Sequence, residues 1–305
     1  MRCISGADLW QWRQDATDRA IAAQVAPYEV DWFLQGLTDL TALDLRLATV
    51  SQRDWVAVAV SLETLEALWQ RRLKERVPVQ YLAGRTPWRQ FLLRVTPAVL
   101  IPRPETEEMV DWAIALSSHL HPLTGHWADL GTGSGAIALG LASVFPAATI
   151  HAVDCSPAAL AVARSNAEDN GLGDRIQFHQ GHWFEPLSSW QGQLQGLLSN
   201  PPYIPHALLA TLEPEVVQHE PHLALDGGQD GLDALRILAS QAPSYLIPQG
   251  LWLVELMAGQ GAAVADLLTA THHYTHIQIH TDLSGNERFV SARCQPQGIC
   301  GLLVH

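Results

Sequence analysis

Lysine is almost missing from this chain of 305 residues: Lys74 stands alone, arginine supplies the rest of the 18 basic residues, and 31 are acidic. The deficit is uneven. Residues 1–85 carry 10 basic and 11 acidic side chains, whereas residues 86–305 carry 8 and 20, a net of −12. A domain that grips nucleic acid through phosphates needs the reverse balance, so duplex binding is not expected. No run of about 18 apolar residues occurs, so no membrane span is expected. The start, Met1-Arg2-Cys3-Ile4-Ser5-Gly6-Ala7-Asp8, becomes charged too soon for a signal peptide, and a cytoplasmic location is expected. Cysteine is sparse and scattered (Cys3, Cys155, Cys294, Cys300) with no Cys-x-x-Cys pair, which reads as free thiols in a reducing compartment. Histidines gather at His119, His121 and His126, and at His272, His273 and His276, but no acid or cysteine completes either set. No metal site is expected.

What is present suggests two domains, since single cores rarely grow beyond about 250–300 residues. Residues 1–76 read as a small helical bundle. Ser61 precedes an amphipathic stretch with Leu62, Leu65, Leu68, Trp69 and Leu73 at helical spacing, and Arg71, Arg72, Lys74 and Arg76 load its C-terminal end. Residues 77–104, interrupted by six of the chain's prolines and glycines, read as a linker bearing a β-hairpin. From residue 105 strands and helices alternate. Strands are expected near 127–130, 149–153, 175–179, 196–199, 251–256, 276–280 and 288–293. Helices are expected over 136–145, 157–170, 230–246 and 261–270. The last two strands are separated by too few residues for a parallel crossover, so they must run antiparallel. The expected architecture is α/β: a doubly wound, mostly parallel, seven-stranded sheet with one reversed strand at or near its edge, over 105–305.

Two motifs carry chemistry. Asp129-Leu130-Gly131-Thr132-Gly133-Ser134-Gly135-Ala136 lies between a strand and a helix, where glycine permits a sharp turn and the close approach of a ligand. Asp154 follows about 20 residues later at a strand end, placed to accept ribose hydroxyls. This set points to an adenosine-containing cofactor and leaves NAD and S-adenosyl-L-methionine both open.

The second motif is Asn200-Pro201-Pro202-Tyr203, at the end of the fourth strand of the alternating region. Paired prolines fix φ and remove two backbone donors, leaving a rigid corner rich in carbonyl acceptors. The Asn200 side-chain oxygen and the Pro201 carbonyl suit the two hydrogens of a planar –NH2 group, and Tyr203 offers an aromatic face. An amide nitrogen is a poor nucleophile because its lone pair is conjugated. Holding both hydrogens weakens that conjugation and aims the lone pair at a methyl carbon. The pairing therefore favours S-adenosyl-L-methionine over NAD.

Four stretches together, 94–107 (with Leu100-Ile101-Pro102-Arg103-Pro104-Glu105-Thr106-Glu107), 129–136, 200–203 and 220–232, resemble the bacterial release-factor glutamine methyltransferases, the HemK/PrmC family. The resemblance runs from about residue 78 to residue 293. It implies methyl transfer from S-adenosyl-L-methionine to the side-chain nitrogen (N5) of glutamine in the Gly-Gly-Gln motif of peptide chain release factors. It further implies that Gly131, Thr132, Gly133, Ser134 and Gly135 cradle the methionine end, that Asp154 binds the ribose, and that Trp183 lies along the adenine. Asn200, Pro201, Pro202 and Tyr203 would hold the glutamine amide and Arg103 would shape the substrate mouth, with residues 1–76 as a substrate-binding domain. The residue before Trp183, often acidic in relatives, is His182 here. A monomer is expected.

Other readings remain. A glutamine methyltransferase of a ribosomal protein shares the tetrad. A nucleic-acid adenine N6-methyltransferase fits the same corner but predicts a basic groove. A non-catalytic binding adaptor would have no need of Asn200. Gly227-Gly228-Gln229 spells the substrate motif within the chain itself, and reads more simply as a turn leading into a helix than as a site of self-methylation.

Overall fold

The computed structural model describes residues 2–120 and 122–295, and these fall into two compact units. The first takes residues up to Thr86 together with 95–97 and 213–219; the second takes 87–94, 98–212 and 220 onward. The first unit thus runs past residue 76 and recruits a segment from far along the chain.

The first unit contains β1 (Arg2–Ile4), α1 (Gly6–Ala22), α2 (Glu29–Leu37), α3 (Ala42–Arg46), β2 (Val56–Val58), α4 (Leu62–Glu75) and α5 (Val79–Ala83). Its core is apolar and aromatic: Leu9, Phe33, Leu65 and Trp69 are fully buried, and the Trp12, Phe33 and Trp69 rings lie 5.6–6.3 Å apart. The Ser61 hydroxyl accepts the Thr64 N–H and caps α4 as its sequence predicts. Two features depart from expectation. β1 and β2 pair antiparallel, in strands too short to show a period of two. Arg72, read from sequence only as one of the basic residues loading the C-terminal end of this helix, is buried between Glu29 and Glu215 at 2.6 and 2.7 Å.

A hairpin of β3 (Arg85–Trp88) and β4 (Phe91–Arg94) follows in the chain, then α6 (Glu108–Leu116). The alternating region comprises β5 (His126–Leu130), α7 (Ala136–Val144), β6 (Thr149–Asp154), α8 (Pro157–Asp169), β7 (Ile176–Gln180), β8 (Leu194–Ser199), α9 (Pro214–His219, which packs with the first unit), α10 (Asp233–Gln241), β9 (Leu246–Glu255), α11 (Gly261–Thr271), β10 (Tyr274–Thr281) and β11 (Glu287–Cys294). The seven-stranded sheet has the order β10-β11-β9-β8-β5-β6-β7, and β11 is antiparallel to both its neighbours. The reversed strand therefore sits one place in from the edge. The helix expected over 230–246 is shorter than predicted. It ends at Gln241, Pro243 occupies a single 3-10 turn, and β9 begins at Leu246. Proline cannot donate the hydrogen bond that would continue a helix.

Both faces of the sheet are covered, as a parallel sheet requires. Trp127, Ile150, Leu198, Leu253 and Phe289 pack on one side with α6 and α7. Ala128, Val153, Leu197, Trp252 and Val290 pack on the other with α10 and α11. Gly196 pairs with Trp127 across β8 and β5, and a Cβ there would lie 2.2 Å from the indole. Glycine at this position makes room for the ring.

Candidate functional site

The chain runs outward from β5 through β6 to β7, then returns to lay β8 along the other side of β5. That reversal opens a crevice beyond the carboxyl ends of the strands, the usual place for a ligand in an open α/β sheet. Leu130 at the end of β5 and Ser199 at the end of β8 meet there, the Ser199 hydroxyl donating to the Leu130 carbonyl at 2.6 Å. The two motifs that follow these residues are consequently side by side. A cavity of about 280 Å³ opens between them.

Gly131, Thr132, Gly133, Ser134, Asp154, Trp183, Asn200 and Pro202 line the cavity, together with Thr106, Cys155 and His182. Gly131, Gly133 and Gly135 have φ of +74°, +54° and +83°, so the glycine pattern is a conformational necessity. Asp154 braces the turn from β6: its Oδ2 accepts the Gly133 N–H and its Oδ1 accepts the Ser156 N–H, both at 2.9 Å. Asn166 of α8 adds a second brace, donating to the Ser134 carbonyl at 2.8 Å. Ser156 caps α8 with Pro157 in its first turn, as expected.

The turn's own hydrogen bonding discriminates between cofactor classes. The N–H groups of Gly131 and Thr132 go to the Val153 carbonyl, that of Gly133 to Asp154, and that of Gly135 to the Thr132 carbonyl. These donors are not free to cradle a pyrophosphate. Among the described residues, neither lysine nor arginine lines the cavity and Asp154 is its one carboxylate. Such a wall fits a cationic adenosine cofactor, S-adenosyl-L-methionine, better than an anionic dinucleotide. Asp129, beneath the turn, is fully buried and accepts from the Thr132 hydroxyl at 2.6 Å and the Ala138 N–H at 2.9 Å. Burial pushes its carboxyl up to about 7 despite those bonds, and its Oδ1 has no partner among the described residues.

The tetrad forms a braced corner. The Gln260 side chain donates to the Tyr203 carbonyl at 2.9 Å, and Ile204 bridges to Asp226. Gly227 packs so tightly on this corner that a Cβ would come within 2.8 Å of Tyr203 Cα. Gly227 and Gly228 thus have a packing role in the turn; Gln229 is exposed and does not line the cavity. The Asn200 side-chain N–H donates to the Thr106 hydroxyl at 3.2 Å, leaving Oδ1 as an acceptor.

Gly135, Pro201, Tyr203 and Arg103 do not line the cavity. Pro201 is buried. Tyr203, expected to offer a stacking face, packs against the core and donates its hydroxyl to Glu255 at 3.2 Å; burial raises its pKa. The Arg103 guanidinium is paired at 2.7 Å with the buried Glu220, while Pro102 beside it faces the cavity. Thr106 and Glu255 were not singled out from sequence, although Glu255 is visible as a carboxylate within the apolar run Leu251-Trp252-Leu253-Val254-Glu255-Leu256. The wall formed by Ala98, Val99 and Leu100 lies in the stretch 94–107 that carries part of the family resemblance, but no cofactor-site role was read for these residues from sequence.

The histidine clusters do not form metal sites among the described residues. His119 contacts the Gln249 carbonyl, His126 belongs to a different array, and His121 lies outside the described residues, as does Cys300. Cys3, Cys155 and Cys294 are free thiols. No helix of the described residues is long and apolar enough to cross a membrane.

Comparison with known proteins gives a consistent pattern. The methyltransferase small domain family matches residues 107–229. The chain is 54% identical over 292 residues to the release factor glutamine methyltransferase of Synechocystis sp., covering 95% of this chain and 97% of that one. It is 50% identical over 284 residues to the protein of that name from Thermosynechococcus vestitus, covering 93% and 96%. Among solved structures, the hMettl16 catalytic domain in complex with MAT2A 3′UTR hairpin 6 superposes with a TM-score of 0.55 at 13% identity, over 86% of this chain and 88% of that one, which shows a shared fold.

Proposed function

We infer the activity from kinship and cavity together: the chain belongs to the release factor glutamine methyltransferase family, and it transfers a methyl group from S-adenosyl-L-methionine to a glutamine side-chain amide nitrogen (N5). Its substrate is the Gly-Gly-Gln motif of peptide chain release factors. The observation that carries this reading is the meeting of the glycine turn, Asp154 and Asn200 in one cavity that, among the described residues, neither lysine nor arginine lines.

When bound, S-adenosyl-L-methionine supplies an electrophilic methyl on a positively charged sulfur. The turn 131–135 would hold its methionine end, Asp154 would accept from the ribose hydroxyls, and Trp183 would lie along the adenine. Asn200 Oδ1 and the Pro201 carbonyl accept the two hydrogens of the glutamine amide, withdrawing the lone pair from conjugation and pointing it toward the cofactor pocket. Tyr203 buttresses this corner. No tuned general base is required before attack, because the product nitrogen can release its proton to water afterwards.

Arg103, fixed on Glu220, holds the mouth of the cavity through Pro102. Residues 1–76 serve in docking the protein substrate. The acidity of residues 86–305 steers a basic surface on the release factor toward the site, so association should slow as salt increases. The enzyme acts as a cytoplasmic monomer. The direct test offers labelled S-adenosyl-L-methionine with purified release factor, ribosomal protein and duplex DNA in parallel. Label on the release factor glutamine supports the reading; label on either of the others alone overturns it.

A further inference from the structure

Two side chains of the cavity wall, Asn200 and Thr106, and two behind it, Tyr203 and Glu255, form one hydrogen-bonded relay. Asn200 donates to Thr106 Oγ1 at 3.2 Å, and the Thr106 hydroxyl donates to Glu255 Oε2 at 2.7 Å. The Tyr203 hydroxyl donates to Glu255 Oε1 at 3.2 Å. Glu255 lies at the end of β9 and is 1% exposed. Both ends of the Asn200–Tyr203 tetrad are thereby tied to the two oxygens of one carboxylate.

An ionised carboxylate only accepts hydrogen bonds. Thr106 must then spend its single proton on Glu255, and its lone pairs can be satisfied only by a donor. Asn200 is obliged to turn its –NH2 toward Thr106 and its Oδ1 away, toward the amide to be methylated. If the group at position 255 could donate, the relay could run backwards. Thr106 would accept from residue 255 and give its proton to Asn200 Oδ1. The flipped amide would present –NH2 to a substrate –NH2, donor against donor.

We propose that Glu255, acting through Thr106, is a positioning residue that sets the direction of this relay and so makes Asn200 an acceptor for the substrate amide. The inference rests on the methyltransferase reading above. Charged and titratable groups around Glu255 act in both directions. Arg288, held by Asp282 at 3.3 Å, favours the ionised form, whereas Glu105 disfavours it, and Tyr203 donates to it. Burial dominates and pushes the carboxyl up to about 7. The relay should therefore reverse as pH falls through neutrality.

The test compares wild type with Glu255→Gln, Thr106→Val and Thr106→Ser. Each is assayed for labelled methyl transfer to a release factor across pH 6–9 and for equilibrium binding of S-adenosyl-L-methionine. Glu255→Gln and Thr106→Val should each lower kcat on the order of 10- to 100-fold, by analogy with the loss when the hydrogen-bond partner that orients a metal ligand is removed. KM and Kd for the cofactor should change little. Combining the two should cost no more than either alone, because both break one relay. Thr106→Ser, which keeps the hydroxyl, should recover most of what Thr106→Val loses. The acid limb of the wild-type kcat profile should vanish in Glu255→Gln. A Glu255→Gln enzyme with wild-type kcat and an unchanged acid limb overturns the proposal, as does a Thr106→Val enzyme with wild-type kcat. Wild type that methylates no release factor counts instead against the function on which the proposal rests. Should Glu255→Gln fail to bind cofactor through misfolding, the Thr106 pair decides alone.

Discussion

Asp154 on β6 reaches across to the glycine turn that follows β5 and accepts the Gly133 N–H at 2.9 Å. One carboxylate thus holds the turn and presents its remaining lone pairs to the cavity. Asp154→Asn keeps an oxygen for Gly133 but loses the charge. A hydrogen bond to a charged group contributes about 1.5–3 kcal/mol, so affinity for S-adenosyl-L-methionine should fall about 10- to 100-fold. Titration calorimetry checks this; unchanged affinity would remove Asp154 from the ribose site.

On the proposed mechanism, Asn200→Ala removes the acceptor for the substrate amide without touching the glycine turn. Cofactor affinity should stay near wild type while kcat falls on the order of 10²- to 10³-fold, the loss typical of a preorganised polar group at the reacting centre. Asn200→Asp should be no better, because a carboxylate has no N–H to give Thr106. Single-turnover methyl transfer measures both; transfer by Asn200→Ala at the wild-type rate would sink the mechanism.

The Trp127 indole occupies the space where residue 196 would carry a side chain. Gly196→Val should destabilise the second unit by about 3 kcal/mol or more, at the upper end for overpacking a core. Urea unfolding followed by circular dichroism would report the change, and a midpoint equal to wild type would refute the steric argument.

Acid should weaken the fold through a row of three imidazoles on adjacent strands. His126 Nδ1 meets His151 Nε2 at 2.9 Å, and His151 Nδ1 meets His179 Nε2 at 3.0 Å. Burial first, then the neighbouring His179 and His126, lowers the His151 pKa from 6.5 to about 3; burial also lowers that of His179. Between these two values the unfolded chain binds the proton and the folded chain does not. The stability from neutral His151 is complete above about pH 6.5 and is lost as pH falls toward 3, by up to about 1.4 kcal/mol per pH unit. The carboxyls of Asp129 and Glu255, raised by burial, act in the opposite direction over this range, so the contribution of His151 is read as a difference: on going from pH 7.5 to 6 and 5, the urea midpoint of wild type should drop relative to that of His151→Gln. Parallel slopes would exclude His151 as the cause.

Legibility from sequence followed locality. The turn 131–135 and the cap at Ser156 are made by neighbours in the chain, so local patterns exposed them. Missed features depend on partners distant in sequence. β1 and β2 are more than 50 residues apart, Arg72 draws Glu215 from 143 positions along the chain, and Thr106 meets Glu255 across 149 positions. Pro243 was a local signal that the expected helix over 230–246 overrode.

Near absence of lysine, acidity after residue 85, alternating strands and helices, and two chemical motifs are properties of the chain itself. They determined the fold class and the kind of reaction because backbone conformation and side-chain chemistry act over a few residues. Only the tertiary structure decided how those motifs cooperate. Returning β8 beside β5 placed Asn200 against the glycine turn, and bringing the end of β9 under Thr106 supplied the carboxylate that orients it. The direction of a hydrogen bond depends on which groups meet, and that is settled only when distant segments pack together.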